Sequence, residues 1–373
     1  MLARPFRIIV FATIFISFFS ASVLQAQTPT ITITQGLQVG EPGKGVAWGN
    51  STYVGVFSNK VVIRSTDGEN WTRVQNVTMP NGSLQSLAFG AGLFVVVGSN
   101  GLIATSPDGI TWTGRSSGTA VLLNEVKFLN GTFYVVGQNR TLLQSADGIT
   151  WTSVSINTGT NTDVLVNIDY GNGIFAIGAR NNFSIGLYIY YSATAAANSW
   201  TFTSIGAPGT LNKLQYIGDR FYIFTSGTSI YTSTNASSWT NSSPLMEVTL
   251  PNSTVQPFSS PHHAFNGIYD GTRWIFYGGT GYYPGSYGSV FVSTDGTAFT
   301  LQPQSAYIVG HGSAYANGKY FQWGNEGIVT SSDGVVYKHL GSNFNSLAKK
   351  QQRHLCGRRL SWFVGTDFLI HRF

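Results

Sequence analysis

The carboxylates of this chain recur in one local setting. A serine opens a short turn, an aspartate and a glycine follow, and an aromatic residue closes it, as in Ser106–Trp112 and Ser145–Trp151. Such an aspartate could act in acid–base chemistry, or its carboxylate could accept backbone N–H groups and hold the turn. Because the same turn is repeated along the chain, we predict that the aspartates are structural. This prediction covers Asp67, Asp108, Asp147, Asp295 and Asp333.

Tyrosine and histidine side chains mark a different kind of site. The glycine-rich stretch 278–288 carries Tyr282, Tyr283 and Tyr287, while His263 and His311 each precede a strand-like segment. Aromatic rings on irregular loops of a rigid scaffold suit sugar faces or protein partners. We therefore take these five residues as candidate ligand contacts. The alternative is that the loops only cover an imperfect repeat and the tyrosines pack locally.

Other chemistries find little support. His262, His263, His311 and Asp270 could converge, but they lack the fixed spacing of a zinc motif and no cysteine assists them, so no metal and no cofactor is expected. No glycine-rich stretch follows a strand and opens a helix, and no Gly-x-Ser-x-Gly is present. A glycosidase would need two facing carboxylates. The plausible candidates outside the turns and near the first strand of a repeat share no motif position: Asp163, Asp169, Asp219, Glu247 and Asp270.

The spacing of the turns also indicates the architecture. Counting two degenerate copies, the seven closing aromatics are 41, 39, 49, 39, 60 and 38 residues apart, and a period near 40 is typical of repeat folds. One repeat contains four short runs rich in β-branched and aromatic residues, separated by Gly, Asn and Asp. No sustained helical period is present. We predict an all-β propeller of seven four-stranded blades, or eight if Thr30–Thr34 joins a composite closing blade.

The turn resembles the Asp-box, or bacterial-neuraminidase, repeat of the sialidase-like superfamily, with one residue fewer between Asp and Gly. The resemblance spans roughly residues 45–340 and is closest in style to photosystem-assembly-factor propellers. It implies a structural turn, not a catalytic one. A sialidase site would resemble three arginines with a Tyr/Glu pair and an early Phe-Arg-Ile-Pro segment, and that segment is absent.

The two ends of the chain differ from its middle. Residues 1–26 have the pattern of a secretory signal, residues 27–44 form a strand and linker, and residues 45–348 hold the repeats. We therefore expect export from a bacterial cell. Residues 27–348 carry 13 Lys and Arg against 14 Asp and Glu, a net charge of −1. No nucleic-acid partner is expected, because no basic face remains.

Residues 349–373 depart from the repeat and are basic. Read one base later, codons for the six residues from His354 can spell Ile-Phe-Val-Ala-Ala-Gly, which fits a second strand of the repeat. We hypothesise a frameshift near residue 349; the alternative is a genuine basic tail. In either case we expect no ordered β-structure continuous with the propeller there.

Taken together, the sequence predicts a secreted, non-catalytic, monomeric propeller with no membrane span, which binds a protein or carbohydrate ligand. A glycoside hydrolase of sialidase or xyloglucanase type is the alternative.

Overall fold

A computed structural model describes residues 41–157, 163–181, 186–206, 209–226, 229–243, 246–250, 252–257, 262–280, 288–302, 312–325 and 327–340. The predicted signal segment, the strand proposed at Thr30–Thr34 and the tail from residue 349 lie outside these residues. No helix in the described part is long and apolar enough to cross a bilayer.

Seven sheets, each built on four antiparallel strands, follow one another along the described part of the chain. Blade 1 comprises β1 Gly43–Gly49, β2 Thr52–Phe57, β3 Val62–Ser65 and β4 Thr72–Arg73. Blade 2 comprises β5 Leu84–Gly90, β6 Leu93–Gly98, β7 Ile103–Ser106 and β8 Thr113–Arg115, with a 3₁₀ turn at Ser99–Gly101. Blade 3 comprises β9 Leu123–Leu129, β10 Thr132–Gly137, β11 Leu142–Ser145 and β12 Thr152–Ser153. Blade 4 comprises β13 Val164–Gly171, β14 Ile174–Arg180, β15 Leu187–Ser192 and β16 Thr201–Ile205.

The remaining three blades repeat this order. Blade 5 comprises β17 Leu211–Ile217, β18 Arg220–Thr225, β19 Ile230–Ser233 and β20 Thr240–Asn241. Blade 6 contains β23 His262–Tyr269, β24 Trp274–Thr280, β25 Gly288–Ser293 and β26 Ala298–Leu301, with β21 Glu247–Thr249 and β22 Val255–Pro257 added. Blade 7 comprises β27 Gly312–Ala316, β28 Lys319–Gly324, β29 Gly327–Ser331 and β30 Lys338–Leu340. The predicted seven-bladed propeller is confirmed.

The second strand of each blade carries the core. In β2 all six residues are buried, and five of six are buried in β6, β10 and β18. Side chains alternate between the two faces of a strand, so each blade packs against both of its neighbours. The apolar clusters accordingly join adjacent blades: one cluster contains Tyr53 and Trp71 of blade 1 with Phe321 of blade 7.

The ring closes without a shared blade. Blade 7 has its own outer strand β30, and its first hairpin packs on blade 1. The Tyr53 hydroxyl donates to the carbonyl oxygens of Ala316 and Asn317, at 3.1 and 3.0 Å. The alternative of an eighth, composite blade is therefore not what the described chain forms.

Part of the long insertion between blades 5 and 6 adds two strands to the sheet of blade 6. Strand β21 pairs in parallel with β26, and β22 pairs with β21, which widens blade 6 to six strands. Met246 and Val248 are buried in the core of this blade. Burial of these two apolar side chains holds the segment against the outer edge of the sheet.

The acidic turns share one hydrogen-bond pattern. In the turn of blade 3, Oδ1 of Asp147 accepts the Ser145 hydroxyl at 2.9 Å and the N–H groups of Ile149 and Thr150 at 2.8 and 2.9 Å. Gly148 has φ of +73°. The aspartates of these turns are not among the described residues with positive φ, so the side chain satisfies the turn from ordinary backbone geometry and only the glycine needs the left-handed region.

Candidate functional site

A cavity of about 430 Å³ opens where the first strands of the blades begin. In a propeller these strands surround the central channel, so the cavity is the mouth of that channel. Charged and amide side chains from blades 1 to 5 line it on one side, and two aromatic residues of blades 6 and 7 line it on the other. The charged and aromatic residues of the lining are Lys44, Glu125, Arg180, Lys213, Phe265 and Trp323.

Glu125 and Lys213 form a buried ion pair in the cavity wall. Lys213 Nζ lies 2.5 Å from Glu125 Oε1, and the two side chains are 14% and 8% exposed. Oε2 of Glu125 accepts the N–H of Ile168 at 2.8 Å. Burial alone would raise the pKa of Glu125, but Lys213, Lys127 and this N–H outweigh it and hold the pKa below its ordinary value. Glu125 is therefore ionised at neutral pH.

The cavity has an excess of positive charge. Lys44 Nζ donates to the amide oxygen of Gln85 at 3.1 Å, and burial lowers the pKa of this lysine. Arg180 ends β14 and is exposed. With Lys213 balanced by Glu125, Lys44 and Arg180 leave a net charge of +2 among the lining residues.

Other polar side chains at the channel join neighbouring blades. Asn124 Nδ2 donates to the carbonyl of Leu165 at 2.8 Å, and the N–H of Leu214 donates to Asn167 Oδ1 at 3.2 Å. Gln215 accepts the N–H of Gly267 in the same way. These bonds connect blades 3 to 6, so much of the polar lining stabilises the ring.

Trp323 and Phe265 supply the apolar side of the cavity. Trp323 in β28 pairs with Gly312 in β27, and a Cβ added to that glycine would lie 2.5 Å from the indole ring. Gly312 is thus needed for the indole to lie against the first strand of blade 7. Phe265, in the first strand of blade 6, is buried. A ligand in the cavity would therefore meet cations on one side and rings on the other.

The candidate contacts predicted from sequence cannot be placed in this cavity. Tyr282, Tyr283, Tyr287 and His311 lie outside the described residues, as does the side chain of His263. The strand ends that flank them do lie on this face: β24 ends at Thr280, β25 begins at Gly288 and β27 begins at Gly312.

Among the residues that the structure describes, the five candidate acids outside the turns do not form a facing pair with a free carboxyl. Asp169 pairs with Lys127 at 2.6 Å, and Asp163 accepts hydrogen bonds from Tyr190 and Asn181. Asp219 and Asp270 follow the last residues of β17 and β23, at the ends of these strands that are away from the cavity. Glu247 is in the outer strand β21.

The idea that Asp270 joins His262 and His263 around a metal is wrong. These histidines are the first two residues of β23, whereas Asp270 follows its last residue. Seven extended residue steps of the strand therefore separate Asp270 from His263, a distance of roughly 23 Å along the backbone. Asp270 instead pairs with Arg273 at 2.8 Å and accepts the Tyr320 hydroxyl at 2.8 Å. No group of three metal-ligating side chains occurs among the residues that the structure describes.

Known structures share this architecture. The chain is similar to YCF48 bound to D1 peptide, with TM-score 0.59 and 14% identity over 78% of this chain and 91% of that one. YCF48 from Cyanidioschyzon merolae gives TM-score 0.53 and 13% identity, over 78% and 94% of the two chains. The WD40 propeller domain of Doa1 gives 0.55 and 11%, over 78% and 92%. No protein-family model matches the sequence, and no curated protein is similar to it in sequence.

At such low identities these likenesses establish the fold, and the site must be argued from its own side chains. Lys44, Glu125, Arg180 and Lys213 were not predicted from the sequence. One signal was present: charged residues interrupt first strands that are otherwise apolar, as Glu125 and Lys127 do in β9. That signal marks the channel but does not show which charges meet.

Proposed function

We propose that this protein is an exported, non-catalytic propeller that binds a polypeptide segment at the channel mouth. The observation that carries the proposal is the cavity itself, where Lys44, Arg180, Phe265 and Trp323 converge from four blades on a face made of loop-bearing strand ends. Pockets with a few placed polar groups among aromatic side chains are typical ligand sites. The likeness to YCF48, whose structure was determined with a D1 peptide, supports a polypeptide ligand.

A non-catalytic role is supported by the state of the carboxylates. A glycosidase needs a protonated acid beside the substrate. Glu125, the carboxylate in the cavity wall, is kept ionised by Lys213 and by the N–H of Ile168. The repeated turns, which we assign to the Asp-box type, use Oδ1 of each aspartate for the backbone, as Asp295 does for Thr297 and Ala298.

A combined peptide and glycan array on the purified protein tests the class of ligand. We expect binding to peptides and not to glycans. Lys44→Met with Arg180→Ala should reduce peptide affinity at least about tenfold, since both cations lie in the cavity. Lys338→Ala, an exposed lysine on the outer strand β30, is the matched control and should bind as the wild type does.

The candidate loop residues are tested in parallel. A triple Tyr→Ala variant at 282, 283 and 287 should weaken binding if these tyrosines belong to the same site, and His263 and His311 can be substituted in turn. Binding to glycans alone, or unchanged affinity in the Lys44/Arg180 variant, would refute the cavity as the peptide site. Turnover of a sialoside or β-glucan would overturn the non-catalytic assignment.

A further inference from the structure

Each blade places an aromatic side chain near the end of its first strand, on the face of the acidic turns. The seven residues are Trp48, Phe89, Phe128, Tyr170, Tyr216, Tyr269 and Tyr315. Each ring packs on an aromatic side chain of its own second strand, with centroids 4.3 to 5.0 Å apart. Since the first strands surround the channel, these rings form an aromatic annulus at its end opposite the cavity.

At three of the seven positions, Phe89, Phe128 and Tyr216, the ring also packs on a glycine of the preceding blade. A Cβ added to Gly49 would lie 2.3 Å from the ring of Phe89, and one added to Gly90 would lie 2.1 Å from Phe128. Each of these rings therefore lies against a glycine of the preceding blade. The equivalent positions before Tyr269 and Tyr315 are larger residues, Ile217 and Asp270, and these two tyrosines are 37% and 40% exposed.

Exposed apolar side chains are concentrated on this face. Among the described residues six large apolar side chains are exposed, and five of them belong to the annulus or to the acidic turns: Ile110, Ile149, Tyr269, Tyr315 and Val336. The sixth, Val255, is on the outer strand β22. Five exposed apolar side chains on one face make this face a candidate interaction surface.

The charge around the annulus is negative. Three cations of this face are paired: Arg220 with Asp219, Arg273 with Asp270, and Lys319 with Glu69. In contrast, Asp67, Asp147 and Asp295 are exposed and take part in no ion pair within the described chain. The backbone bonds of these turns use Oδ1, as at Asp147, and Oδ2 of Asp67 also accepts the side-chain amide of Asn70 at 2.7 Å.

We propose that the acidic-turn face is a second docking surface, whose partner is a polypeptide segment that carries lysine or arginine among apolar side chains. The exposed rings of Tyr269 and Tyr315 contact the apolar residues and offer their faces to the cations. The aspartates around the annulus attract the same cations at longer range. This surface is separate from the cavity, which has the opposite charge, so the protein can hold two partners of different chemistry at the two ends of its channel.

Fluorescence anisotropy with two short labelled peptides tests the proposal on the full chain. One peptide alternates lysine with leucine, and its match has glutamate in place of lysine. We expect the lysine peptide to bind, with affinity that falls as salt is added. Tyr269→Ala with Tyr315→Ala should reduce its affinity at least about tenfold. Val255→Ala, and the Lys44/Arg180 variant of the cavity, should leave it unchanged.

The charge is tested without disturbing the turns. In blade 5 the position of these aspartates is held by Asn235, whose Oδ1 accepts the N–H groups of Ser237 and Ser238 at 3.0 Å. The triple variant Asp67→Asn, Asp147→Asn and Asp295→Asn should therefore fold, and should bind the lysine peptide several-fold more weakly with a shallower dependence on salt. The triple aspartate variant tests the proposal even if the double tyrosine variant does not fold.

Binding results of two kinds, or self-association of this chain through the annulus, would overturn the proposal. The binding results are equal affinity for the glutamate peptide, and unchanged affinity for the lysine peptide in both sets of variants. Self-association of the wild type in sedimentation velocity that the tyrosine substitutions abolish would assign the annulus to a second copy of this chain. Failure of the cavity variants to affect array binding would refute the proposed function and leave this surface unaffected.

Discussion

Replacement of Glu125 tests whether the channel wall is a buried electrostatic structure. Its carboxylate joins three elements, because Oε1 pairs with Lys213 of β17 at 2.5 Å and Oε2 accepts the N–H of Ile168 of β13 at 2.8 Å. Glu125→Ala leaves a mostly buried ammonium group and an N–H without an acceptor. Removing one partner of a buried pair costs about 3–5 kcal/mol. We expect a loss of that size in the free energy of unfolding.

Two further variants divide this value into parts. Glu125→Gln retains an oxygen for the N–H of Ile168 but cannot neutralise Lys213. It should therefore lower the free energy of unfolding by about 1–2 kcal/mol less than Glu125→Ala does, because the hydrogen bond to Ile168 is kept. Glu125→Gln combined with Lys213→Met removes the uncompensated charge and should recover much of the loss. The exposed pair Lys319–Glu69, with the Glu69 side chain 55% exposed, is the control: Glu69→Ala should cost less than about 1 kcal/mol.

The assay is urea unfolding followed by tryptophan fluorescence, with a pH series. The pKa of Glu125 is lower in the folded protein than in the unfolded chain. Its contribution is therefore fully present above the unfolded pKa of about 4.3 and is lost as pH falls through the folded value. Wild type should lose stability in acid relative to Glu125→Gln. A cost below about 1 kcal/mol for Glu125→Ala would refute the reasoning, since it is the cost of an exposed pair.

Two further predictions concern the turns, and both are read from urea unfolding. A Cβ at Gly101 (φ +65°) would lie 1.9 Å from the Thr119 carbonyl oxygen, whereas at Gly118 (φ +70°) nothing lies within 4 Å. Gly118→Ala should lower the free energy of unfolding by about 1–2 kcal/mol, and Gly101→Ala should lower it by at least about 1 kcal/mol more. Equal losses in the two variants would refute the role of this contact. Asp295→Ala should cost about 1 kcal/mol, as for loss of a capping residue, and Asp295→Asn much less, because asparagine retains the acceptor. The N–H groups of Ala298 and Thr297 lower the pKa of Asp295 to about 2. The stability that the Asp295 carboxylate contributes is therefore complete above about pH 4 and falls as pH drops toward 2. An unchanged difference in stability between the wild type and Asp295→Asn across that range would contradict this prediction.

The number and type of blades could be read from the sequence because each blade is specified locally. The turn from Ser145 to Trp151 lies within seven residues, and its hydrogen bonds join residues at most three positions apart. Repetition of a local pattern is visible without any tertiary information. The aromatic annulus was also encoded locally, since an aromatic residue precedes the turn after every first strand, but its meaning as a surface depended on knowing which strand is innermost.

The candidate site could not be read in this way. Glu125 and Lys213 are 88 residues apart and meet because blades 3 and 5 flank blade 4 at the channel. Likewise, the insertion before blade 6 has no signal that separates a loop from the strands at 247–249 and 255–257, because pairing with β26 decides it. The sequence by itself determined the repeating unit and its turns, because their interactions are local. Only the closed ring decided which charges pair, which aromatic rings stay exposed and where a ligand can enter, because those contacts join residues that are far apart in the sequence.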